Sequence, residues 1–164
     1  MTRTIALANQ KGGVGKTTTA INLAASVAAS GSKVLLLDLD PQGNATSGVG
    51  LPKDQLPASM FDVMVEEKPL ETSIQPTELE NLFVVPSNSD LVAAEAHLIQ
   101  GDEGIGKWRL TEALRDYFRA MASTSQLSAN GKPDYILVDC PPSLGLITLN
   151  ALIASHSLLI PDRK

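Results

Sequence analysis

An α/β fold of three layers, with helices on both faces of a mainly parallel sheet, follows from three features of the sequence. Short apolar runs alternate with helix-length periodic segments along the chain, the pattern of strands joined by crossover helices. The run Lys33-Val34-Leu35-Leu36-Leu37-Asp38 is apolar at every interior position, as a parallel strand covered on both faces must be. A glycine-rich turn joins the first apolar run to an alanine-rich helical segment, giving a strand–loop–helix unit.

Residues 3–9 read as the first strand, and the Ala-rich segment 17–30 as a helix stopped by Gly31. Residues 33–38 form a second strand, reached by a right-handed crossover. From Leu39 to Pro57 the chain is rich in Asp, Pro, Gly, Gln and Asn without regular apolar spacing, and reads as a functional loop. Short helices are expected at 59–66 and 69–74, then a strand at 82–86 leading through Asn88 into a helix at 89–98. A longer helix is expected at 107–122, an exposed polar loop from Ser123 to Lys132, a strand at 134–139, a helix at 145–155 and a fifth strand at 157–161. No internal repeat is visible, and 164 residues suit one domain spanning 1–164.

Composition narrows the class. Hydrophobic residues make up 43% and charged residues 19%, which suits a soluble globular chain. One tryptophan, two tyrosines and three phenylalanines imply an aliphatic core. The lone Cys140 cannot form an internal disulfide, and the chain lacks both a run of about 20 apolar residues and a secretory leader, so a cytoplasmic location without a membrane partner is expected. A net charge of −5 excludes a basic field over the whole chain.

The segment Asn9-Gln10-Lys11-Gly12-Gly13-Val14-Gly15-Lys16-Thr17-Thr18 lies between the first strand and its helix, the setting in which a phosphate-binding loop works. Glycines let the backbone curl so that successive N–H groups face phosphate oxygens, and the helix adds its positive dipole end. Lys16 then bridges β- and γ-phosphates while the Thr17 hydroxyl meets a magnesium ion. The usual pattern has glycine where this chain has Gln10, and the chain carries an additional Lys11. Asp139 ends a buried strand, where ligands of such sheets bind, and looks like the Walker-B aspartate, which would hold magnesium through water. Asp38 and Asp40 end the second strand on the same side, because strand side chains alternate.

The run Lys-Gly-Gly-Val-Gly-Lys-Thr-Thr at 11–18 resembles the deviant Walker loop of the ParA/MinD/nitrogenase-iron-protein superfamily, a set with the three-layer P-loop NTPase fold. Asp40-Pro41-Gln42-Gly43-Asn44-Ala45-Thr46, Pro141-Pro142-Ser143 and Leu149-Asn150-Ala151-Leu152 look like the ParA/Soj branch. A nitrogenase iron protein needs several cysteines for its cluster, and this chain has one. A MinD-type protein needs a carboxyl-terminal amphipathic membrane helix, which this sequence lacks.

The ParA/Soj resemblance implies an ATP-binding and ATP-hydrolysing partition protein that uses Mg2+. It implies nucleotide contacts from Lys11, Gly12, Gly13, Val14, Gly15, Lys16, Thr17 and Thr18, and catalytic roles for Lys11, Lys16 and Asp40. Lys11 would reach across an ATP-sandwich homodimer, Asp40 would position the attacking water, and Thr17 with Asp139 would hold the metal. Residues 40–47 and 139–145 would be the loops that sense the terminal phosphate. A ParB-like partner and non-specific DNA complete the implied set. Members of the branch continue with further strands and helices, adenine contacts and a basic surface, so a member truncated at the carboxyl terminus is expected. A non-hydrolysing nucleotide-binding fragment and a MinD-like positioning ATPase are the alternatives.

Overall fold

In the computed structural model, which describes residues 1–100, 106–123 and 131–162, the chain builds a six-stranded sheet with helices on both faces. The strands are β1 (Arg3–Leu7), β2 (Val34–Asp38), β3 (Gln75–Pro76), β4 (Leu82–Val85), β5 (Tyr135–Asp139) and β6 (Ser157–Leu159). Their order is β3-β4-β2-β5-β1-β6, and every pairing is parallel except β3 with β4. The helices are α1 (Lys16–Ala29), α2 (Asn44–Gly48), α3 (Met60–Met64), α4 (Ala94–Gln100), α5 (Arg109–Ser123) and α6 (Leu146–Ala154).

Strand alternation divides the core into two. Val34 and Leu36 of β2 join Leu82, Val84, Leu7 and Leu137 beneath α1, which presents Ala20, Ala24 and Ala28 along one stripe. Those alanines carry no side chain beyond Cβ, so α1 packs close to the sheet. Leu35 and Leu37 point the other way and join Ile136, Val138, Met60, Met64, Leu110, Leu114 and Ala151 under α3, α5 and α6. All five residues of β2 are buried, which is why that strand shows no polar alternation in sequence.

Several expected boundaries move. The stretch 39–57 is not all loop: Asn44–Gly48 forms α2 and Lys53–Gln55 a 3-10 turn. A five-residue helix is too short for an apolar period, and it buries Thr46 beside Ala45. The segments expected to be helical at 69–74 and 89–98 begin or remain as 3-10 turns, at Leu70–Ser73 and Ser89–Ala93. At the second, the Asn88 side chain accepts from the Asp90 N–H at 3.1 Å and tightens the first turn. The helix expected at 107–122 likewise opens with a 3-10 turn, Gly106–Trp108. The two-residue β3 is too short to register in the sequence. Most of the polar stretch 123–132 lies outside the described residues.

Asn150 locks the far layer. It is fully buried on α6, accepts from the Leu110 N–H at 3.0 Å, and donates to the carbonyls of Gly106 (2.8 Å) and Leu146 (2.9 Å). This one amide therefore caps the start of α5 and ties it to α6. Replacing Asn150 by Ala strands a buried N–H and a buried carbonyl, and is expected to cost about 2–3 kcal/mol. Urea denaturation reads that loss directly, and an unchanged midpoint would contradict the role.

Candidate functional site

The sheet order places β5 between β2 and β1, so the carboxyl ends of all three meet. Leu7 and Asp38 are each in register with Asp139, from opposite sides. The loop leaving β1 therefore lies beside the two acidic strand ends, at the edge where ligands of parallel sheets bind.

The 9–18 loop is shaped by local contacts. The Asn9 side chain accepts from the Lys11 N–H at 3.0 Å and donates to the Pro161 carbonyl at 2.8 Å. Gly13 and Gly15 take φ of 72° and 90°, left-handed values that a side chain disfavours. Helix α1 then begins at Lys16, and its Nζ donates to the Lys11 carbonyl at 3.3 Å. That ammonium is drawn inward, with Lys16 only 7% exposed.

An open cavity of about 450 Å³ lies over this loop, lined by Gly12, Gly13, Gly15, Lys16, Thr17, Thr18, Asp40, Gln42, Asn44 and Pro142. Its volume is in the range of small-molecule sites. Another cavity of about 480 Å³, between the 63–71 segment and α5, is rimmed by charges of both signs such as Arg109, Glu67 and Glu112. These already pair with one another, Arg109 to Glu67 at 2.6 Å and to Glu112 at 3.8 Å, so the chemistry converges on the first cavity.

Six of the sequence-predicted glycine, lysine and threonine positions line the cavity, together with Asp40. Val14 is buried rather than lining it, and Lys11 is exposed and outside it. Gln42, Asn44 and Pro142 were not singled out from sequence as cavity residues. Their signal was present, since Gln42 and Asn44 lie two and four residues after Asp40, and Pro142 lies three after Asp139.

The acidic groups divide by partner. Asp40, 9% exposed, accepts from the Gln42 N–H through Oδ1 at 2.9 Å. Asp38 is fully buried and accepts from the Asp40 N–H (3.1 Å), the Thr46 N–H (2.8 Å) and the Thr46 hydroxyl (2.7 Å). Burial pushes its carboxyl up to about 6, against those hydrogen bonds. Asp139 is fully buried with neither oxygen in a hydrogen bond. Thr17 is near enough to favour the Asp139 anion in part, but not placed to satisfy either oxygen. Burial, with Asp38 and Asp40 adding repulsion, pushes Asp139 up to about 7. Burial also raises the neighbouring Cys140 thiol to about 12, with the Asp139 charge adding to it, so it stays protonated as a small core residue.

An unsatisfied buried carboxylate beside a threonine hydroxyl and a lysine fits a hard, oxygen-seeking cation held largely by phosphate and water, as Mg2+ is. Among the described residues no cluster of three or more His, Cys, Asp or Glu is placed to hold a metal ion. No described helix is long and apolar enough to cross a membrane.

The sequence matches the AAA domain family AAA_31 over residues 2–164. It is 48% identical over 159 residues to the chromosome partitioning protein ParA of Myxococcus xanthus, covering 97% of this chain and 51% of that protein. It is 43% identical over 162 residues to the sporulation initiation inhibitor protein Soj of Bacillus subtilis, covering 98% of this chain and 58% of Soj. Among solved structures it resembles cobyrinic acid a,c-diamide synthase from Mycobacterium smegmatis with bound ATP analog and magnesium, at TM-score 0.84 and 38% identity, covering 98% of this chain and 60% of that one. It also resembles a Borrelia burgdorferi plasmid partition protein bound to AMPPNP, at TM-score 0.75 and 27% identity, covering 98% and 61%. The architecture is thus the three-layer P-loop NTPase fold. The chain spans about half the length of the curated relatives it matches, 51% and 58% for these two.

The two raised carboxyls make stability depend on pH. Both are protonated more readily in the folded chain, whose values of about 6 and 7 lie above the unfolded 3.8. The stability they contribute is complete below about pH 3.8 and is lost as pH rises through about 6 to 7. Without nucleotide, stability should fall between about pH 4 and pH 7, by at most about 1.4 kcal/mol per pH unit per carboxyl. Asp139→Asn should flatten that slope in urea denaturation, and identical slopes for wild type and variant would refute the assignment.

Proposed function

This chain belongs to the AAA domain family AAA_31, and on that premise we propose that it is the ATP-binding and ATP-hydrolysing part of a ParA/Soj-type partition protein acting in chromosome or plasmid segregation. The observation that supports this best is one cavity holding the glycine loop, Lys16, Thr17 and Asp40 at the mouth of the strand whose Asp139 carboxylate is buried and unpaired.

In this reading the N–H groups of residues 12–18 receive the phosphates of ATP, and the Lys16 ammonium exchanges the Lys11 carbonyl for β- and γ-phosphate oxygens. Thr17 would hold Mg2+ directly and Asp139 would hold it through water. Magnesium bound there would neutralise charge on the phosphate oxygens. Asp40 keeps one oxygen on the Gln42 N–H, so its other oxygen orients the attacking water. Val14 serves through its backbone, since its side chain is buried.

Lys11, exposed beside the cavity, takes the role of a charge supplied to a second copy's nucleotide in an ATP-sandwich dimer, a device worth about 1000-fold or more in rate. A ParB-like protein is the proposed stimulating partner. DNA contact is assigned to parts of such proteins that this chain does not cover, because its own net charge is −5. The proposed setting is the cytoplasm.

Calorimetry with ATP and Mg2+, paired with a phosphate-release assay, tests the reading. Lys16→Ala should abolish both signals. Asp40→Asn should retain ATP affinity while phosphate release falls about 100-fold or more. Binding without release by the wild type would favour a non-hydrolysing nucleotide-binding protein, and equal inactivity of wild type and Lys16→Ala in both assays would overturn the proposal.

A further inference from the structure

The loop carrying Asp40 is tied down at a residue that the nucleotide-binding reading does not use. Thr46 is fully buried on α2, yet all its polar atoms outside the helix ladder are engaged. Its N–H and hydroxyl both donate to Asp38 Oδ2, at 2.8 and 2.7 Å. Its hydroxyl oxygen also accepts from the Ser87 N–H at 2.9 Å, from just beyond β4. A hydroxyl that donates to a buried carboxylate and accepts from a buried amide is fully satisfied, and fixed in orientation.

Ser87 touches the same loop a second time. A Cβ on Gly43 would come within 2.8 Å of the Ser87 carbonyl oxygen and 2.9 Å of Lys53 Cδ, and Gly43 has φ of 61°. Position 43 therefore accepts only glycine without displacing the loop from the end of β4. Lys53 closes the outer side, donating from Nζ to the Gln42 carbonyl at 2.7 Å. Within the loop, the Asp40 N–H goes to Asp38 Oδ1 at 3.1 Å, and the Gly43 N–H to the Asp40 carbonyl at 2.9 Å.

We propose that Thr46 is a positioning residue for Asp40, pinning the 40–46 loop between the Asp38 carboxylate and the Ser87 backbone so that Asp40 is held in place before nucleotide arrives. The inference rests on the nucleotide-hydrolysing reading for its catalytic meaning, though not for its structural content. The 40–46 loop is a preformed part of the sheet edge, anchored to two strands. A loop that becomes ordered only around a terminal phosphate would lack such anchors in the free protein.

The test compares Thr46→Val, which keeps the shape and removes the hydroxyl, with Thr46→Ser, which restores it. Asp38→Asn, near-isosteric at the other end of the pin, is the second probe should the valine variant fold poorly. Two readouts are taken on each folded protein, namely hydrogen exchange of the Gln42 and Gly43 amides without nucleotide, and phosphate release with ATP affinity measured separately. Thr46→Val and Asp38→Asn should exchange those amides about tenfold faster or more. They should release phosphate about 100-fold more slowly, as a small misplacement of a catalytic group does, with ATP affinity unchanged.

Thr46→Ser should restore both readouts, and the Thr46→Val/Asp38→Asn double variant should be no worse than Asp38→Asn alone. Wild-type exchange and release in Thr46→Val would overturn the proposal. So would equal losses of ATP affinity and thermal stability in the valine and serine variants. If the wild type itself releases no phosphate, the hydrolysing reading fails, and the exchange measurement alone decides whether Thr46 pins the loop.

Discussion

Everything at the site depends on a carboxylate buried where the protein supplies it nothing to bond. Asp139 ends β5 between β2 and β1, and neither of its oxygens is in a hydrogen bond. Taking an ionised carboxylate from water without a partner is costly, which is why its pKa climbs to about 7. The sheet tolerates that cost because its order leaves little choice. Flanked by β2 and β1, β5 ends at the point where the glycine loop and Asp38 converge. A cation arriving with phosphates would relieve the strain, so the same burial that weakens the free protein gives the bound state its advantage.

The three acidic residues at this edge differ in partner rather than in type. Asp38 spends its lone pairs on the Asp40 and Thr46 backbone and on the Thr46 hydroxyl, and so acts as a scaffold. Asp40 is held through one oxygen. Asp139 has neither oxygen engaged. Asp38 ends β2 and Asp40 follows it by two residues, but the hydrogen bonds give Asp38 a structural task while Asp40 lines the cavity. Lys16 follows the same logic from the opposite sign, its ammonium held by the Lys11 carbonyl of its own loop. Preorganisation of this sort lets electrostatic stabilisation act without rearranging the site at the moment of reaction.

Much of this was legible in the sequence because it is written in local patterns. The unbroken apolar run of β2 announced a strand buried on both faces, and it is buried at all five positions. The glycine spacing around Lys16 announced the loop, and the left-handed angles at Gly13 and Gly15 bear out why glycine stands there. What was not legible is long-range. Helix α2 buries polar Thr46 instead of an apolar stripe, so no period marks it. The pin between Thr46 and Ser87 joins residues 41 apart in sequence, and Asn150 caps a helix 40 residues before it. Such contacts exist only once the sheet order is known.

Below about pH 7 burial keeps a proton on Asp139 in the free protein, and the proposed magnesium–nucleotide complex would displace it. Titration calorimetry with magnesium–ATP at about pH 6.5, repeated in buffers of different ionisation enthalpy, counts the protons that leave on binding. The account predicts net proton release in the wild type and markedly less in Asp139→Asn. A binding heat independent of buffer, or the same release from both proteins, would contradict it.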